Sequence, residues 1–309
     1  MKSFYLIINP KAGKTDKGIK DAIEDLEKWA IKSNASLFYN DKLLKEDARE
    51  DWNCVDSQYQ ESKGYDGIIV IGGDGTKTHI INQMINNNDD RIFIGVSSGT
   101  MDVGVCTNRA SSLKPLNELE KVDVNAIEAR VDGKHYYSFI DSIICNTFIG
   151  NKDGEVSQFS AKEILLNRTK ILEEPKVISS NKGIIEIYED NKLAKRVPLS
   201  NSTKIIGCSC LDKGLFAKVL AGGADTCICL GAEAGLIYSD FPLILTRKNL
   251  DELLDLSPIS SSFIPLKVNN TMTITGLNDD AYLINDGNVI SKINQVEFSL
   301  KKKVFSIWR

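Results

Sequence analysis

The sequence has little histidine, little proline and no excess of positive charge. Its 309 residues include two histidines and seven prolines, and 38 lysines and arginines stand against 42 aspartates and glutamates, a formal net charge of −4. Dedicated nucleic-acid binders are usually basic, so this balance argues against a nucleic-acid partner. We interpret the two histidines as an ordinary helix residue (His79) and a surface residue (His135) rather than as a catalytic or metal-binding cluster.

Long hydrophobic runs are also lacking. The apolar run near the start, Phe4–Ile8, is five residues long, too short for a signal-peptide core or a membrane span. The seven cysteines are odd in number and lie inside apolar segments, which indicates reduced thiols and a cytoplasmic location. Cys208, Cys210, Cys227 and Cys229 fall in two Cys-x-Cys pairs, which leaves a zinc site open as an alternative to small buried hydrophobes.

Alternating strand and helix patterns fill the first part of the chain. Strands separated by helices are typical of βαβ units, so residues 1–125 are predicted to form a Rossmann-like α/β domain with a parallel sheet. The predicted strands are 4–8, 67–71 and 91–96, and the predicted helices begin near residue 16 and near residue 76, with another over 41–52.

After residue 125 the pattern changes to short β-prone runs separated by turn residues such as Asp132-Gly133, which favour antiparallel pairing. Residues 126–309 are therefore predicted to form a mostly antiparallel β domain, whose last strand could return to the first domain. One segment, Ser157–Asn167, is predicted to be helical. The predicted strands are 127–131, 136–145, 183–188, 203–210, 226–230, 242–246, 271–275 and 295–300.

Three glycine-containing turns follow the three N-terminal strands. Ligands of open parallel sheets bind outside the carboxyl ends of the strands, so these turns are expected to converge on one crevice. Glycines let backbone N–H groups approach an anion, and the helix N-termini that follow favour negative charge, which predicts a phosphate-binding site. The candidate binding residues are Asn9, Gly13, Gly72, Gly73, Gly75, Thr76, Ser98, Gly99 and Thr100.

Asp74 lies in the middle of the second turn. A carboxylate beside a phosphate is repelled by it, so its presence there needs a reason. Either a cation lies between the two groups, or the carboxylate accepts the proton of an attacking hydroxyl group. Asp74 is therefore both the candidate catalytic residue and the candidate Mg²⁺ ligand. The alternative is a tight turn whose aspartate caps the next helix. The sequence has no P-loop run, and no Gly-x-Gly-x-x-Gly follows a strand.

These motifs resemble those of the NAD kinase and diacylglycerol kinase superfamily. Asn9-Pro10-x-x-Gly13, Gly72-Gly73-Asp74-Gly75-Thr76 and Gly99-Thr100 occur in that order. The Asn-Pro-x-x-Gly opening and the segment 139–150 are most similar to NAD kinase-like proteins of the acetoin-catabolism X type (AcoX), and the opening also resembles lipid kinases. Asn285-Asp286-Gly287-Asn288 is similar to the Asp-Gly-Glu or Asp-Gly-Gln turn of the superfamily.

The resemblance implies an ATP-dependent kinase with an NAD kinase-like fold, in which the first domain binds ATP phosphates and the second the acceptor. It implies that Asp74 assists phosphoryl transfer and that Asn9 and Thr100 help to place the nucleotide. Asp141 and Asp286 are the candidate substrate residues, and Asp141 lies where NAD kinases carry the acid of an Asn-Glu pair that handles the dinucleotide.

Three residues depart from the superfamily pattern. Ile140 replaces the asparagine of that Asn-Glu pair, Asp102 replaces the asparagine of lipid kinases, and Lys77 stands where an apolar residue is common. The Lys77 side chain is expected either to point toward the bound phosphates or to be exposed to solvent.

Three hypotheses follow. The first is a cytoplasmic, homo-oligomeric kinase that uses ATP and Mg²⁺ and phosphorylates NAD(H) to NADP(H). The second is a lipid or sphingoid-type kinase, and the third is a nucleotide-binding regulator without turnover.

Overall fold

The chain folds into two units, which we describe from a computed structural model. The model describes residues 1–10, 16–44, 54–98, 104–152, 155–167, 169–210, 231–241 and 260–309. The first unit comprises Met1–Val124 together with Lys303–Arg309, and the second comprises Asn125–Lys302. In the part of the chain that is described, no helix is long and apolar enough to cross a membrane.

The first unit contains a four-stranded parallel sheet in the order β2-β1-β3-β4. This confirms the parallel sheet predicted from the alternation of strands and helices. The strands are β1 (Lys2–Ile8), β2 (Ala35–Phe38), β3 (Gly67–Gly72) and β4 (Ile92–Ser97), and the helices are α1 (Asp16–Ser33), α2 (Cys54–Glu61) and α3 (Asp74–Asn86).

Apolar residues on both faces of the sheet explain why the central strands read as continuous hydrophobic runs. Every residue of β3 is buried. On one face, Leu6 and Ile69 pack with Ile23 and Leu26 of α1. The indole N–H of Trp29, also on α1, donates to the Lys114 carbonyl at 2.7 Å. This packing holds the carboxyl ends of β1, β3 and β4 at one edge of the sheet.

The second unit consists mainly of antiparallel strands, as predicted. One six-stranded sheet has the order β11-β10-β15-β18-β5-β6 and the other β14-β13-β12-β7-β16-β17. Its elements are β5 (Lys121–Val131), β6 (Lys134–Ser138), β7 (Asp141–Cys145), β8 (Thr147–Lys152), β9 (Glu155–Ser160), α4 (Ala161–Asn167), β10 (Ser179–Glu189), β11 (Lys192–Pro198), β12 (Ile205–Ser209), β13 (Ala234–Ser239), β14 (Ser261–Leu266), β15 (Asn270–Leu277), β16 (Tyr282–Asn285), β17 (Asn288–Lys292) and β18 (Val296–Trp308). Strands β5 and β18 begin in one unit and end in the other.

Side chains from both six-stranded sheets form one buried apolar cluster. Ile127, Ile185 and Phe298 come from the first sheet, and Ile144 and Leu236 come from the second. Because successive side chains of a strand alternate between faces, the neighbours of Ile144 on β7 pack on the opposite side, in a second cluster with α4.

Several predicted elements have different bounds in the structure. The single strand predicted over 136–145 is divided into β6 and β7, and the helix predicted over Ser157–Asn167 is a strand up to Ser160 and a helix after it. The helix predicted over 41–52 begins as a short 3₁₀ helix, Asp41–Leu44, and its remainder lies outside the described residues. The strands predicted at 226–230 and 242–246 also lie outside them.

Glu128 on β5 is a buried carboxylate surrounded by donors. Its side chain is 4% exposed, and it accepts hydrogen bonds from His135 Nδ1 at 2.7 Å and Ser299 Oγ at 3.0 Å. Lys301 Nζ lies 3.2 Å from Oε2. Burial alone would raise the pKa of Glu128, but the hydrogen bonds from His135, Lys301 and Ser299 hold it below its ordinary value of 4.5.

We expect Glu128→Gln to lower the free energy of unfolding by about 2–4 kcal/mol at pH 7, because it removes the charge that these donors face. A lowered folded-state pKa gives stability that is present above the unfolded value and is lost as the pH falls through the folded value. The difference between variant and wild type should therefore shrink below about pH 4.5. Urea unfolding at several pH values measures it.

Glu297→Gln is the matched control, since Glu297 pairs with Arg130 at 3.1 Å on the same sheet but is 31% exposed. It should change stability little. A Glu128→Gln variant as stable as this control at pH 7 would contradict the assignment.

Candidate functional site

The end of β1, which leads into the first glycine-containing turn, is anchored by a buried glutamine. Gln58 of α2 accepts a hydrogen bond from the Ile8 N–H at 2.7 Å and donates to the Ile8 carbonyl at 2.8 Å. It thus pairs with the end of β1 as a neighbouring strand would. The next residue, Asn9, donates its own N–H to the Ile71 carbonyl at 3.0 Å. The position of Asn9 is therefore fixed by both α2 and β3.

The second turn lies directly against the first. Asn9 Nδ2 donates to Thr76 Oγ1 at 2.7 Å. Gly72 permits this arrangement, because a Cβ at that position would lie 2.8 Å from the Cβ of Thr76. Gly73 caps α3 with φ −72° and ψ 173° and without a side-chain hydrogen bond. The start of α3 and the end of β1 therefore form one bonded group.

Ser98, which precedes Gly99 in the third turn, lies close to the first helix. Ser98 is buried, and a Cβ on Gly18 of α1 would lie 2.7 Å from the Ser98 carbonyl oxygen. The start of α1 therefore packs closely on the end of β4. Of the other residues predicted for these turns, Gly13, Gly99 and Thr100 lie outside the described residues, as does Asp102.

Asp74 is the first residue of α3, and its carboxylate bridges to the segment after β4. Oδ2 accepts the Gly104 N–H at 3.1 Å, and Oδ1 accepts the Thr107 hydroxyl at 3.0 Å. Gly73, rather than Asp74, is the N-cap residue of the helix. The side chain is 12% exposed, so it is not completely buried.

Lys77 lies one turn further along α3 and is completely buried, so a solvated lysine is the wrong alternative for this position. Its Nζ lies 3.8 Å from Asp74 Oδ1. The choice between a buried and an exposed lysine could not be made from the local sequence, because Gly95, which leaves room for the Lys77 stem, lies on β4.

In the second unit, Asp286 organises the backbone at Asp141. Its carboxylate accepts three backbone N–H groups, from Phe139 at 2.8 Å, Ile140 at 3.0 Å and Asp141 at 2.9 Å. The Asp286 N–H in turn donates to the Asp141 carbonyl at 3.0 Å. Asp286 and Gly287 have φ values of 46° and 84°, which form the tight turn between β16 and β17.

The described cysteines are free thiols and buried. Desolvation by burial raises the pKa of Cys210, as it does that of Cys145, to about 12. A metal ligand must be a thiolate, so this environment favours the interpretation of Cys208 and Cys210 as small hydrophobes. Within the described ranges, no group of three or more His, Cys, Asp and Glu side chains could hold a metal, while Cys227 and Cys229 lie outside them.

His79 takes part in a surface contact on α3. Its Nε2 lies 2.5 Å from Asp56 Oδ1 of α2, and both side chains are about half exposed. We therefore retain the interpretation of His79 as an ordinary helix residue.

The residues that hold Asp74 and Asn9 were not found from the sequence. Gln58, Gly104 and Thr107 each lie about 30 or more residues from the side chain or strand that they fix. No short motif contains them, and only the folded sheet brings them together.

Comparison with known proteins finds a family match in the N-terminal part of the chain. The family model of the diacylglycerol kinase catalytic domain matches residues 3–132. This range includes all three glycine-containing turns. No curated protein matches the sequence.

Solved structures resemble the chain over almost its whole length. Two structures of proteins classed as diacylglycerol kinases from Bacillus anthracis str. Sterne give TM-scores of 0.55 and 0.53 at 13% and 14% identity, and each match covers 99% of this chain and 96% of the other. Yeast NADH kinase complexed with NADH gives 0.47 at 11% identity, over 100% of this chain and 82% of that chain, too weak a likeness to argue from. The first two show a shared fold. No match bears on the AcoX type, which stays a prediction.

We expect Asp286→Asn to destabilise the second unit by about 2–4 kcal/mol, because the amide presents a donor to backbone N–H groups that need an acceptor. Amide hydrogen exchange at Phe139, Ile140 and Asp141 should become faster. Mass spectrometry of peptides that cover 139–141 measures this exchange.

Asp279→Asn serves as the control, since that carboxylate pairs with Lys292 at 2.6 Å but is 97% exposed. It should leave both stability and exchange unchanged. Equal protection of 139–141 in the two variants would show that Asp286 does not hold this segment.

Proposed function

We propose that the chain transfers the terminal phosphoryl group of ATP to a hydroxyl group of a small molecule, because residues 3–132 match the family model of the diacylglycerol kinase catalytic domain. The observation that carries the proposal is the position of Asp74. It is fixed at the first turn of α3, next to glycines whose backbone can approach phosphate, and it remains partly exposed.

The proposed phosphate-binding groups are the backbone of Gly72, Gly73 and Gly75 and the N-terminus of α3, where the helix dipole favours negative charge. Thr76 and Asn9 are bonded to each other and would keep this backbone in place. We propose the same binding role for Gly13, Ser98, Gly99 and Thr100.

The donor set suits magnesium. Mg²⁺ prefers oxygen ligands and is often held by one or two carboxylates together with substrate phosphates. Asp74 is the carboxylate that would hold it here. When bound, the ion supplies neutralisation of the charge on the transferring phosphoryl group.

Asp74 also suits the acceptor side of the reaction. We propose that its carboxylate orients the acceptor hydroxyl and takes its proton. The acceptor oxygen forms a bond to the γ-phosphorus, the bond from that phosphorus to the β,γ-bridging oxygen breaks, and ADP leaves with the electron pair.

Two acceptor classes remain, and the burial of Asp141 favours a lipid over NAD(H). A ribose hydroxyl would need access to this carboxylate, but Asp141 is 2% exposed. Ile140 stands in place of the asparagine that accompanies it in NAD kinases. The Asn-Pro-x-x-Gly opening and the matched family both point to a lipid hydroxyl. We propose that Asp141 and Asp286 shape the acceptor domain.

Asp74→Asn should lower kcat by about 10²–10⁴-fold, because the amide cannot take a proton. We also expect some loss of stability, because the amide keeps only one of the two oxygens that accept Gly104 and Thr107 and removes the charge beside the buried Lys77. The rate is therefore measured at a temperature at which circular dichroism shows the variant to be folded. Release of ADP from ATP and Mg²⁺ in the presence of acceptor measures the rate. Asp56→Asn, which alters an exposed aspartate beside the same helix, should retain full activity. Undiminished phosphoryl transfer by Asp74→Asn would overturn the assignment.

A panel of acceptors tests the substrate class. Wild-type protein with ATP and Mg²⁺ is offered diacylglycerol in mixed micelles, a sphingoid base in the same micelles, NAD and NADH. We expect phosphorylation of a lipid and none of NAD or NADH. Formation of NADP(H) would restore the dinucleotide as the acceptor, and tight ATP binding without product from any acceptor would support a regulator without turnover.

A further inference from the structure

We propose that Lys77 is a built-in counter-cation of the Asp74 turn, which lets a nucleotide polyphosphate bind beside the Asp74 carboxylate with a reduced need for divalent metal. The inference rests on the proposed function, because it concerns binding of ATP at that turn. Lys77 is fully buried, so we assign it a positioning role through the charge of Asp74 rather than a direct contact with ATP.

The geometry joins the two charges within one turn of α3. Lys77 Nζ lies 3.8 Å from Asp74 Oδ1, and the two residues are three positions apart on the helix, so their side chains share a face. Asp74 Oδ1 also accepts the Thr107 hydroxyl at 3.0 Å. The carboxylate is thus fixed from two sides, and the ammonium charge lies behind it.

The packing around the lysine stem accommodates a long side chain. A Cβ on Gly95 of β4 would lie 3.0 Å from Lys77 Cδ, so the glycine leaves room for the stem between α3 and the sheet. Fully buried lysines are rare unless they are paired, because removing an ammonium from water is costly. An apolar residue would fill the same space without this cost, so the charge points to a function.

That function follows from the charge at the turn. A carboxylate beside phosphate repels it, and the repulsion must be offset by a cation. A fixed ammonium 3.8 Å from Asp74 supplies one positive charge whether or not Mg²⁺ is present. The attraction between Lys77 and the polyphosphate acts over a longer distance, through a buried region where screening is weak.

The test compares ATP binding with and without metal. Lys77→Met keeps an unbranched apolar side chain and removes the charge. Isothermal titration calorimetry with ATP in EDTA should show about tenfold weaker binding by the variant, and ATP with saturating Mg²⁺ a smaller loss. A merely structural defect would weaken both forms of ATP equally.

Lys28→Met is the matched control. Lys28 also pairs with an aspartate three residues away, Asp25 at 3.2 Å, but it is 67% exposed on α1. It should bind both forms of ATP as wild type does. Two results would overturn the inference while leaving the proposed function intact. In one, Lys77→Met binds metal-free ATP as tightly as wild type does; in the other, the variant loses ATP affinity equally in EDTA and in Mg²⁺.

Two further outcomes are distinguished. If Lys77→Met does not fold, Asp74→Asn is compared with the double variant Asp74→Asn/Lys77→Met. The double variant removes the carboxylate together with the ammonium, so neither charge is left without the other. The double variant should bind metal-free ATP about tenfold more weakly, and equal affinities would overturn the inference. Wild-type protein that binds no ATP in either condition would overturn the proposed function and this inference together.

Discussion

The cost of burying a carboxylate determines the local structure at three places in this molecule. A carboxylate removed from water must be met by donors or cations, and each of the three is met differently. Asp286 accepts three consecutive backbone N–H groups. Glu128 is met by the side chains of His135, Ser299 and Lys301, and Asp74 by a hydroxyl, a backbone N–H and a buried lysine. In each case the carboxylate joins segments that are distant in sequence.

The three carboxylates differ in whether their side chains are still exposed. Asp286 is buried and surrounded by backbone, so it is a structural group of the second unit. Asp74 is held just as firmly but is still partly exposed, and a group that is fixed before a ligand arrives needs little reorganisation when it binds. Asp74 is therefore a candidate catalytic residue because it is both fixed and partly exposed, whereas Asp286 is fixed but buried.

The sequence predicted the elements whose hydrophobic pattern is local and missed those set by distant partners. The buried runs of β1, β3 and β4 and the turns after them follow from residues next to one another in the chain. The interruption between β6 and β7 does not, because the amides of Phe139 and Ile140 bond to a side chain about 146 residues away. The burial of Lys77 likewise depends on Gly95 of another strand.

The last strand of the chain completes the unit that begins at its first residue. Residues 303–309 belong with Met1–Val124, where Phe305 packs edge-on against Phe93 and Arg309 exchanges backbone hydrogen bonds with Glu120. On the ribosome the α/β unit therefore emerges long before its final segment has been synthesised. The whole second unit lies between these two parts of the first unit in the sequence, so the first unit is complete only when the segment 303–309 has also been synthesised.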